Sequence, residues 1–476
     1  MLRAINYIKF LCHRDSEKEL EMDKKAYVQE YIDRAGRAQK EFETYPQERV
    51  DEAVRAIGKK IYDEAEPLAQ LAVDETKMGR FEDKVSKNKG KTKATWAKLK
   101  GVKSRNIIRY IPEEGLVEVA KPIGVIGCVC PTTNPTMTPI HNAMVALKGG
   151  NAVIVSPHPN APRTGAETVR LIREALKEVG APEDLVQIIE DSDLEISGLL
   201  MSMCDTCIST GGPFMVKAAF SSGKPAFGVG AGNVQDLIDR DVDVKKAAAL
   251  AFKGRTYDNG VLCTCDQSLI CPEEKYEEMI EALKELGVYY IDDPADIDRL
   301  RKYMFPNGSF NKDIVGKSAV FIGKNAGLDI PEDASMISVA VEKCGADEYL
   351  SKEKLCPVQC AYKYDTWEDA VKIAEANLWN DGTGHSTVIH SNNKEHIEYA
   401  AEILPVSRFS INQQGSSSLG GSLNNGLNPT ATLGCGTWGN NSISENLWWN
   451  HLVNISRIAY VIPDKTVPTD EEIWAD

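Results

Sequence analysis

The sequence predicts an α/β fold in which a doubly wound parallel sheet is followed by a second α/β stretch. From about residue 125 to 220, apolar β-branched runs alternate with amphipathic runs in units of roughly 20–30 residues, the spacing of strand–helix–strand crossovers. The alternation resumes between about 234 and 425. The chain has 476 residues and 42% hydrophobic content, enough for two or three packed domains.

Element by element, residues 24–75 place apolar side chains at helical spacing and predict two amphipathic helices, broken around Thr44-Tyr45-Pro46. Residues 82–104 are lysine-rich and read as a solvated helix. Residues 106–122 alternate about a Pro-Glu-Glu-Gly turn and predict a hairpin, before a buried strand at Val125–Cys130. A helix over 136–148, a strand over 151–157, a helix over 161–179 and strands over 185–190 and 206–210 follow. "GGPFMVKAAFSSG" opens another helix. In the second stretch, helices Val244–Phe252 and Glu274–Leu286 alternate with strands in "QSLIC", "SAVFIG", "ISVAVE", "VQCAYKY", "HSTVIHS" and "SRFSIN". The tail, 426–476, is Gly-rich and ends in a strand-like run.

Net charge is −15, which argues against a nucleic-acid partner. No run of 18 apolar residues predicts a membrane span. Residues 1–22 lack the apolar core and cleavage site of a signal peptide; they read as a lead-in or as a short amphipathic targeting or docking segment. Twelve cysteines without a secretion signal read as free thiols in a reducing, cytoplasmic setting. Cys204 and Cys207 form a lone C-x-x-C and the seven histidines are scattered, so no metal site is expected.

Three segments could carry chemistry. "STGGPFMVKAA" (209–219) sets a glycine pair between a strand and a helix, where backbone N–H groups meet a phosphate or merely cap the helix. "PTTNPTMTP" (131–139) follows the first parallel strand, at the carboxyl ends where such sheets bind ligands. Its Asn134 either donates to an oxyanion or closes an Asx turn. "YDNGVLCTCDQS" (257–268) holds Cys263 and Cys265 behind a turn. In an extended segment both would face one way, so spacing does not choose a nucleophile between them.

In combination these segments resemble the aldehyde dehydrogenase superfamily, and within it the CoA-acylating branch. "PTTNPT", "LKGGNAVIVSPHP", "TGGPFMVKAAFSSGKPAFGVGAGN", "YDNGVLC", "EKLCPV" and "TLGCGTWGNNSISENL" occur in that branch's order. The resemblance implies a nucleotide-binding domain over 1–105 and 123–233, a thiol-bearing catalytic domain over 234–425, and a β oligomerisation arm over 106–122 and 445–476. It implies NAD or NADP as cofactor, coenzyme A as co-substrate, and a homodimer or tetramer in the cytoplasm or within a protein-shelled compartment. No fused iron-type alcohol dehydrogenase is expected after residue 476.

By position, the resemblance makes Cys263 the nucleophile, Asn134 the oxyanion amide and Glu353 the carboxylate that binds the nicotinamide ribose. Thr210, Gly211 and Gly212 fall at the cofactor loop, and Ser156, Pro157 and His158 near the adenosine. His385 either assists at the site mouth or is a loop histidine. Arg408 either meets an anionic substrate end or holds its loop, the structural role being preferred. "GGSLNNGLNPTATLGCGTWG" and "VPTDEEIW" are similar to members acting on succinate semialdehyde; sulfoacetaldehyde, acetaldehyde and propionaldehyde are the alternatives. One departure stands out. Hydrolytic relatives carry a water-activating Glu where this chain has Val229-Gly230-Ala231-Gly232. Without that base, the expected acceptor of the acyl group is a thiol, which ionises near neutral pH.

Overall fold

The computed structural model describes residues 23–462 and 465–475. The lead-in or docking reading of residues 1–22 lies outside them. The chain opens with helical turns over 23–42 (α1), then α2 Gln47–Asp63, α3 Ala65–Thr76 and α4 Phe81–Leu99. Where the periodicity predicts two helices over 24–75, there are three. The additional break falls at Glu64, because Pro67 has no N–H to offer the Asp63 carbonyl and the helix restarts.

A hairpin of β1 Asn106–Ile111 and β2 Leu116–Pro122 turns at Gly115, which adopts φ 64°. Strand β3 Val125–Val129, helix α5 Met137–Lys148, strand β4 Ala152–Ser156 and helix α6 Pro162–Glu178 follow. Next come β5 Val186–Ile188, α7 Leu194–Met203, β6 Thr206–Thr210, α8 Pro213–Phe220 and β7 Ala226–Val229. These five strands form a parallel sheet in the order β5-β4-β3-β6-β7. Strands β3 and β4 are buried along their whole length, which is why they read as unbroken apolar runs. Val50, Val54, Ile57 and Ile61 of α2 are buried in the same core.

A second parallel sheet has the order β10-β11-β12-β9-β8-β13-β14. Its strands are β8 Val234–Ile238, β9 Asp266–Pro272, β10 Val288–Ile291, β11 Met336–Ala340, β12 Val358–Tyr364, β13 Thr387–His390 and β14 Phe409–Ile411. Helix α9, Val244–Thr256, leads from β8 toward β9. One predicted strand is wrong: "SAVFIG" lies in a helix, Ala319–Asn325, whose first turn Ser318 caps by accepting the Phe321 N–H. A short apolar run does not reveal its period, and the N-cap decides it.

The tail returns to the first domain. Strand β15, Val453–Ala459, pairs antiparallel with β2 and completes a three-stranded sheet. Leu447, Trp448 and Leu452 enter the first core, and Asn151 Nδ2 donates to the Leu452 carbonyl at 2.7 Å. Among the described residues, no helix is long and apolar enough to cross a membrane.

The lysine-rich helix α4 is the largest departure from expectation. Rather than being solvated, it buries Lys84, Lys87, Asn88, Thr92 and Thr95. Lys84 and Lys87 each reach Asp258 at 3.0 Å, while Lys91 donates to the carbonyls of Gly420 and Gly421 and Lys98 to those of Asn425 and Leu427. The charges of α4 thus bind it to loops of the second domain rather than to water.

Candidate active site

The segment between α9 and β9 presents the candidate nucleophile. Asp258, Asn259 and Gly260 have φ values of 52°, 52° and 66°. Three consecutive left-handed residues reverse the chain sharply, and Asp, Asn and Gly are the residue types that tolerate this conformation. Asp258 makes the reversal rigid. Its carboxylate bridges Lys84 and Lys87, accepts the Arg80 N–H at 2.8 Å, and is wholly buried. Burial alone would raise its pKa, but Lys87 and Lys84 outweigh that and hold it below the usual carboxylate range.

Cys263 emerges from this turn partly exposed and packs on Val229, Leu433 and Cys435. Residues 261–265 form a turn, not a strand, so the two cysteines diverge. Cys265 is buried, with its sulfur 3.7 Å from the Tyr257 carbonyl and its thiol pushed up to about 12, chiefly by burial. We expect Cys265→Ala to keep turnover within about threefold of wild type and to cost roughly 1–2 kcal/mol of stability for one buried sulfur; initial rates and urea melts of the variant check both.

The Cys263 thiol is also pushed up, first by burial and then by Glu353, Cys435 and Cys265, against a lowering by Arg408. A cysteine in this setting needs a proton acceptor to react. Its backbone N–H donates to nothing among the described residues. Asn134 stands in the loop between β3 and α5; its Oδ1 is buried and its side-chain amide has no partner among the described residues. Both donors are thus uncommitted, as an oxyanion site requires.

Ser156, Pro157, His158, Thr210, Gly211 and Gly212 lie at or just past the carboxyl ends of β4 and β6, whereas Glu353, His385 and Arg408 precede β12, β13 and β14. Ser156 ends β4, with its hydroxyl 2.8 Å from those of Ser192 and Ser197. Pro157 follows, its Cβ packed toward Gly165, and His158 accepts the Asn160 N–H at 3.1 Å. Burial and Lys312 lower the His158 pKa. Thr210 ends β6 and meets the Thr432 hydroxyl at 2.8 Å. Gly211 and Gly212 precede α8, and a Cβ on Gly212 would meet nothing within 4 Å. The protein's own packing does not demand glycine there, and the open space at a helix N-terminus suits a phosphate.

Glu353 accepts the Gly232 N–H at 2.8 Å, and its own N–H donates to Asp381 at 3.1 Å. Burial, then Asp381, pushes the Glu353 carboxyl up to about 8. Gly232 is irreplaceable for packing reasons: a Cβ would stand 2.0 Å from the Cys263 carbonyl oxygen and 2.7 Å from its Cβ. Gln267, unremarked in the sequence, locks this corner by donating to the Gly232 carbonyl at 3.3 Å and accepting the Lys354 N–H at 2.9 Å.

His385 is wholly buried with neither ring nitrogen paired among the described residues, and burial, then Arg408, drives its pKa down to about 3. The imidazole is therefore held in its neutral form. Arg408 is buried and donates to Ser386 at 3.4 Å and to the carbonyls of Gly434 and Ser444. The guanidinium thus braces the loop that carries Cys435. A separate groove of about 650 Å³, lined by Tyr31, Arg34, Arg170 and Gln187 among others, contains none of the predicted site residues. Among the described residues, no group of three or more His, Cys, Asp or Glu side chains is placed to hold a metal ion.

Two parallel sheets, a thiol that follows a left-handed turn, and an uncommitted amide after a strand are the parts that a nucleotide-binding enzyme of the thiol-dependent class needs. The chain belongs to the aldehyde dehydrogenase family, whose model matches residues 13–296. It is 48% identical, over 453 residues, to succinate-semialdehyde dehydrogenase (acetylating) of Clostridium kluyveri, covering 95% of this chain and 100% of that one. Among solved structures it is similar to an acetylating aldehyde dehydrogenase from Geobacillus thermoglucosidasius, with a TM-score of 0.89 and 34% identity, covering 94% of this chain and 99% of that one. A propionaldehyde dehydrogenase from Rhodopseudomonas palustris, solved with bound CoA and an acylated cysteine, matches at a TM-score of 0.83 and 26% identity, over 92% and 98% of the two chains.

Proposed function

We propose that the protein oxidises a small aldehyde to its acyl-CoA with NAD(P)⁺, and runs the reverse reduction, through a thioester on Cys263. Succinate semialdehyde is the favoured substrate; sulfoacetaldehyde and the short aliphatic aldehydes are the alternatives. The observation that carries the reading is the contact between Cys263 and the stretch Val229–Gly232. That stretch offers the nucleophile two glycines and no carboxylate, so it holds no water-activating base.

The residues divide the work as follows. Cys263 adds to the aldehyde carbonyl, giving a thiohemiacetal whose oxyanion is held by Asn134 and the Cys263 N–H. Thr210, Gly211 and Gly212, with Ser156 and His158, line the phosphate and adenosine side of a nicotinamide cofactor, and Glu353 its ribose. When bound, that cofactor supplies a hydride acceptor. The acyl group then rests on Cys263 until the CoA thiol displaces it. The three-stranded sheet of β1, β2 and β15 serves as the arm of a dimer or tetramer, in the cytoplasm or inside a protein shell.

The test is an assay of NAD(P)H formation with succinate semialdehyde, sulfoacetaldehyde and propionaldehyde, each with NAD⁺ or NADP⁺ and with or without CoA. Turnover that requires CoA, with acyl-CoA as the product by mass spectrometry, is the expected result. Equal rates without CoA, with a free carboxylic acid as product, would overturn the acylating reading.

A further inference from the structure

The groove of about 650 Å³ on the first domain lies apart from the residues assigned to the reaction and has a chemistry of its own. Strand β5 is the edge of its sheet, and the space beside it is walled by side chains of α1, α3 and α6. The groove's charge is opposite to that of the chain. Arg34, Arg163, Arg170 and Arg173 line it against Glu167 and Glu190, in a protein of net charge −15. Two of these arginines are committed. Arg170 pairs with Glu167 at 2.8 Å and Glu174 at 2.9 Å; Arg173 pairs with Asp184 at 2.9 Å and donates to the Val186 carbonyl at 3.2 Å. The other two are not. The Arg163 side chain makes no hydrogen bond or ion pair among the described residues; only its backbone N–H is held, by Glu75 at 2.9 Å. The Arg34 guanidinium lies over the Tyr31 ring at 4.7 Å and meets Glu30 only at 4.0 Å, and its Nε is buried without a partner among the described residues.

Gln187 adds an orphaned acceptor to this orphaned donor. It lines the same groove and is only 2% exposed. Its Nε2 donates to the carbonyls of Tyr31 and Asp184 at 3.1 and 3.2 Å, while its Oε1 is buried and accepts nothing among the described residues. An unsatisfied buried polar group is costly, and most such groups in folded proteins have a partner. A donor and an acceptor left open in the wall of one cavity, beside two free guanidiniums, call for a ligand that supplies the partners.

We propose that this groove is a second nucleotide site, distinct from the cofactor crevice, which takes an adenine nucleotide. The Arg163 guanidinium pairs with the phosphates. The base supplies what the wall lacks: an adenine edge carries an amino donor, for Gln187 Oε1, and a ring-nitrogen acceptor, for the Arg34 Nε–H. Leu71 and Ile188 give the ring apolar surface. A bare anion such as phosphate has no donor to offer and would leave Gln187 Oε1 open. The size agrees, since cavities of about 300–1,000 Å³ hold ligands of this class.

The test fills the crevice first. Full-length enzyme is saturated with NAD⁺ or NADP⁺ and dialysed against labelled ADP, with labelled UDP and pyrophosphate as comparisons. ADP is expected to be retained in equal number to the chains under both conditions, and more tightly than UDP or pyrophosphate. Arg163→Ala removes an exposed side chain that pairs with nothing, so the variant is expected to keep its fold and its CoA-dependent rate. Its affinity for ADP is expected to fall roughly 10- to 100-fold, the worth of a charge-assisted hydrogen bond. Gln187→Leu is expected to weaken ADP and leave pyrophosphate unchanged; a urea melt of that variant accompanies it, because the substitution also gives up the bond to Tyr31. Three results would each overturn the proposal: loss of all ADP once the crevice is filled, retention that Arg163→Ala does not weaken, and UDP or pyrophosphate held as tightly as ADP.

Discussion

Cys263→Ala is expected to lower CoA-dependent NAD(P)H formation by on the order of 10⁴-fold or more while the protein stays folded. The size follows from the step removed: without the sulfur there is neither a thiohemiacetal nor a thioester, and the proposed oxyanion donors, Asn134 and the Cys263 N–H, have nothing to stabilise. Stability is expected to change by only about 1 kcal/mol, because the lost atom lies at the partly exposed edge of a small cluster with Val229, Leu433 and Cys435. Steady-state rates and a denaturant melt of the same preparation separate the two effects. Substantial turnover by a folded Cys263→Ala would remove Cys263 from the chemistry.

Much of this site was legible because its parts are local. The glycine pair after β6, Asn134 after β3 and the Asp-Asn-Gly turn each announce a backbone requirement within a few residues. The parallel strands were legible for a similar reason: burial on both faces leaves unbroken β-branched runs such as "NAVIVSP". What the sequence concealed is long-range. Lys84 and Lys87 look like a solvated helical face, and their partner Asp258 lies more than 170 residues away. Cys263 and Cys265 look equivalent until the turn at 261–265 sends the second into the interior and sets the first beside Cys435. Gln267 occupies an ordinary strand position, and only the fold shows that it ties the loop of Glu353 to Gly232. The helix Ala319–Asn325 was misread because "SAVFIG" is too short to display a period.

The buried ion triad behind the nucleophile leads to the second large effect. Asp258→Asn keeps the shape of the side chain and an oxygen for the Arg80 N–H, but leaves Lys84 and Lys87 facing each other in the interior without the carboxylate they share. Removing one partner of a buried ion pair costs about 3–5 kcal/mol, far more than an exposed pair is worth. The loss should depend on pH in a definite direction. Burial, then Lys87, already depresses Lys84 to about 8 against an unfolded value near 10.5. Loss of the Asp258 charge depresses it further. Below the variant's folded value, both folded proteins must carry the ammonium and the deficit is complete. Between the variant's folded value and about 8 the variant has shed that proton while wild type still holds it, so the deficit shrinks, and it levels off once wild type releases the proton as well. Urea melts of both proteins at pH 6 and pH 9 should therefore show a wide gap at pH 6 and a narrower one at pH 9. Because the triad holds the left-handed turn in place, the rate of Cys263 alkylation by iodoacetamide should change in the variant as well. A deficit below about 1 kcal/mol at pH 6, or one that does not vary with pH, would show that the carboxylate is not what stabilises the α4 lysines beneath the catalytic turn.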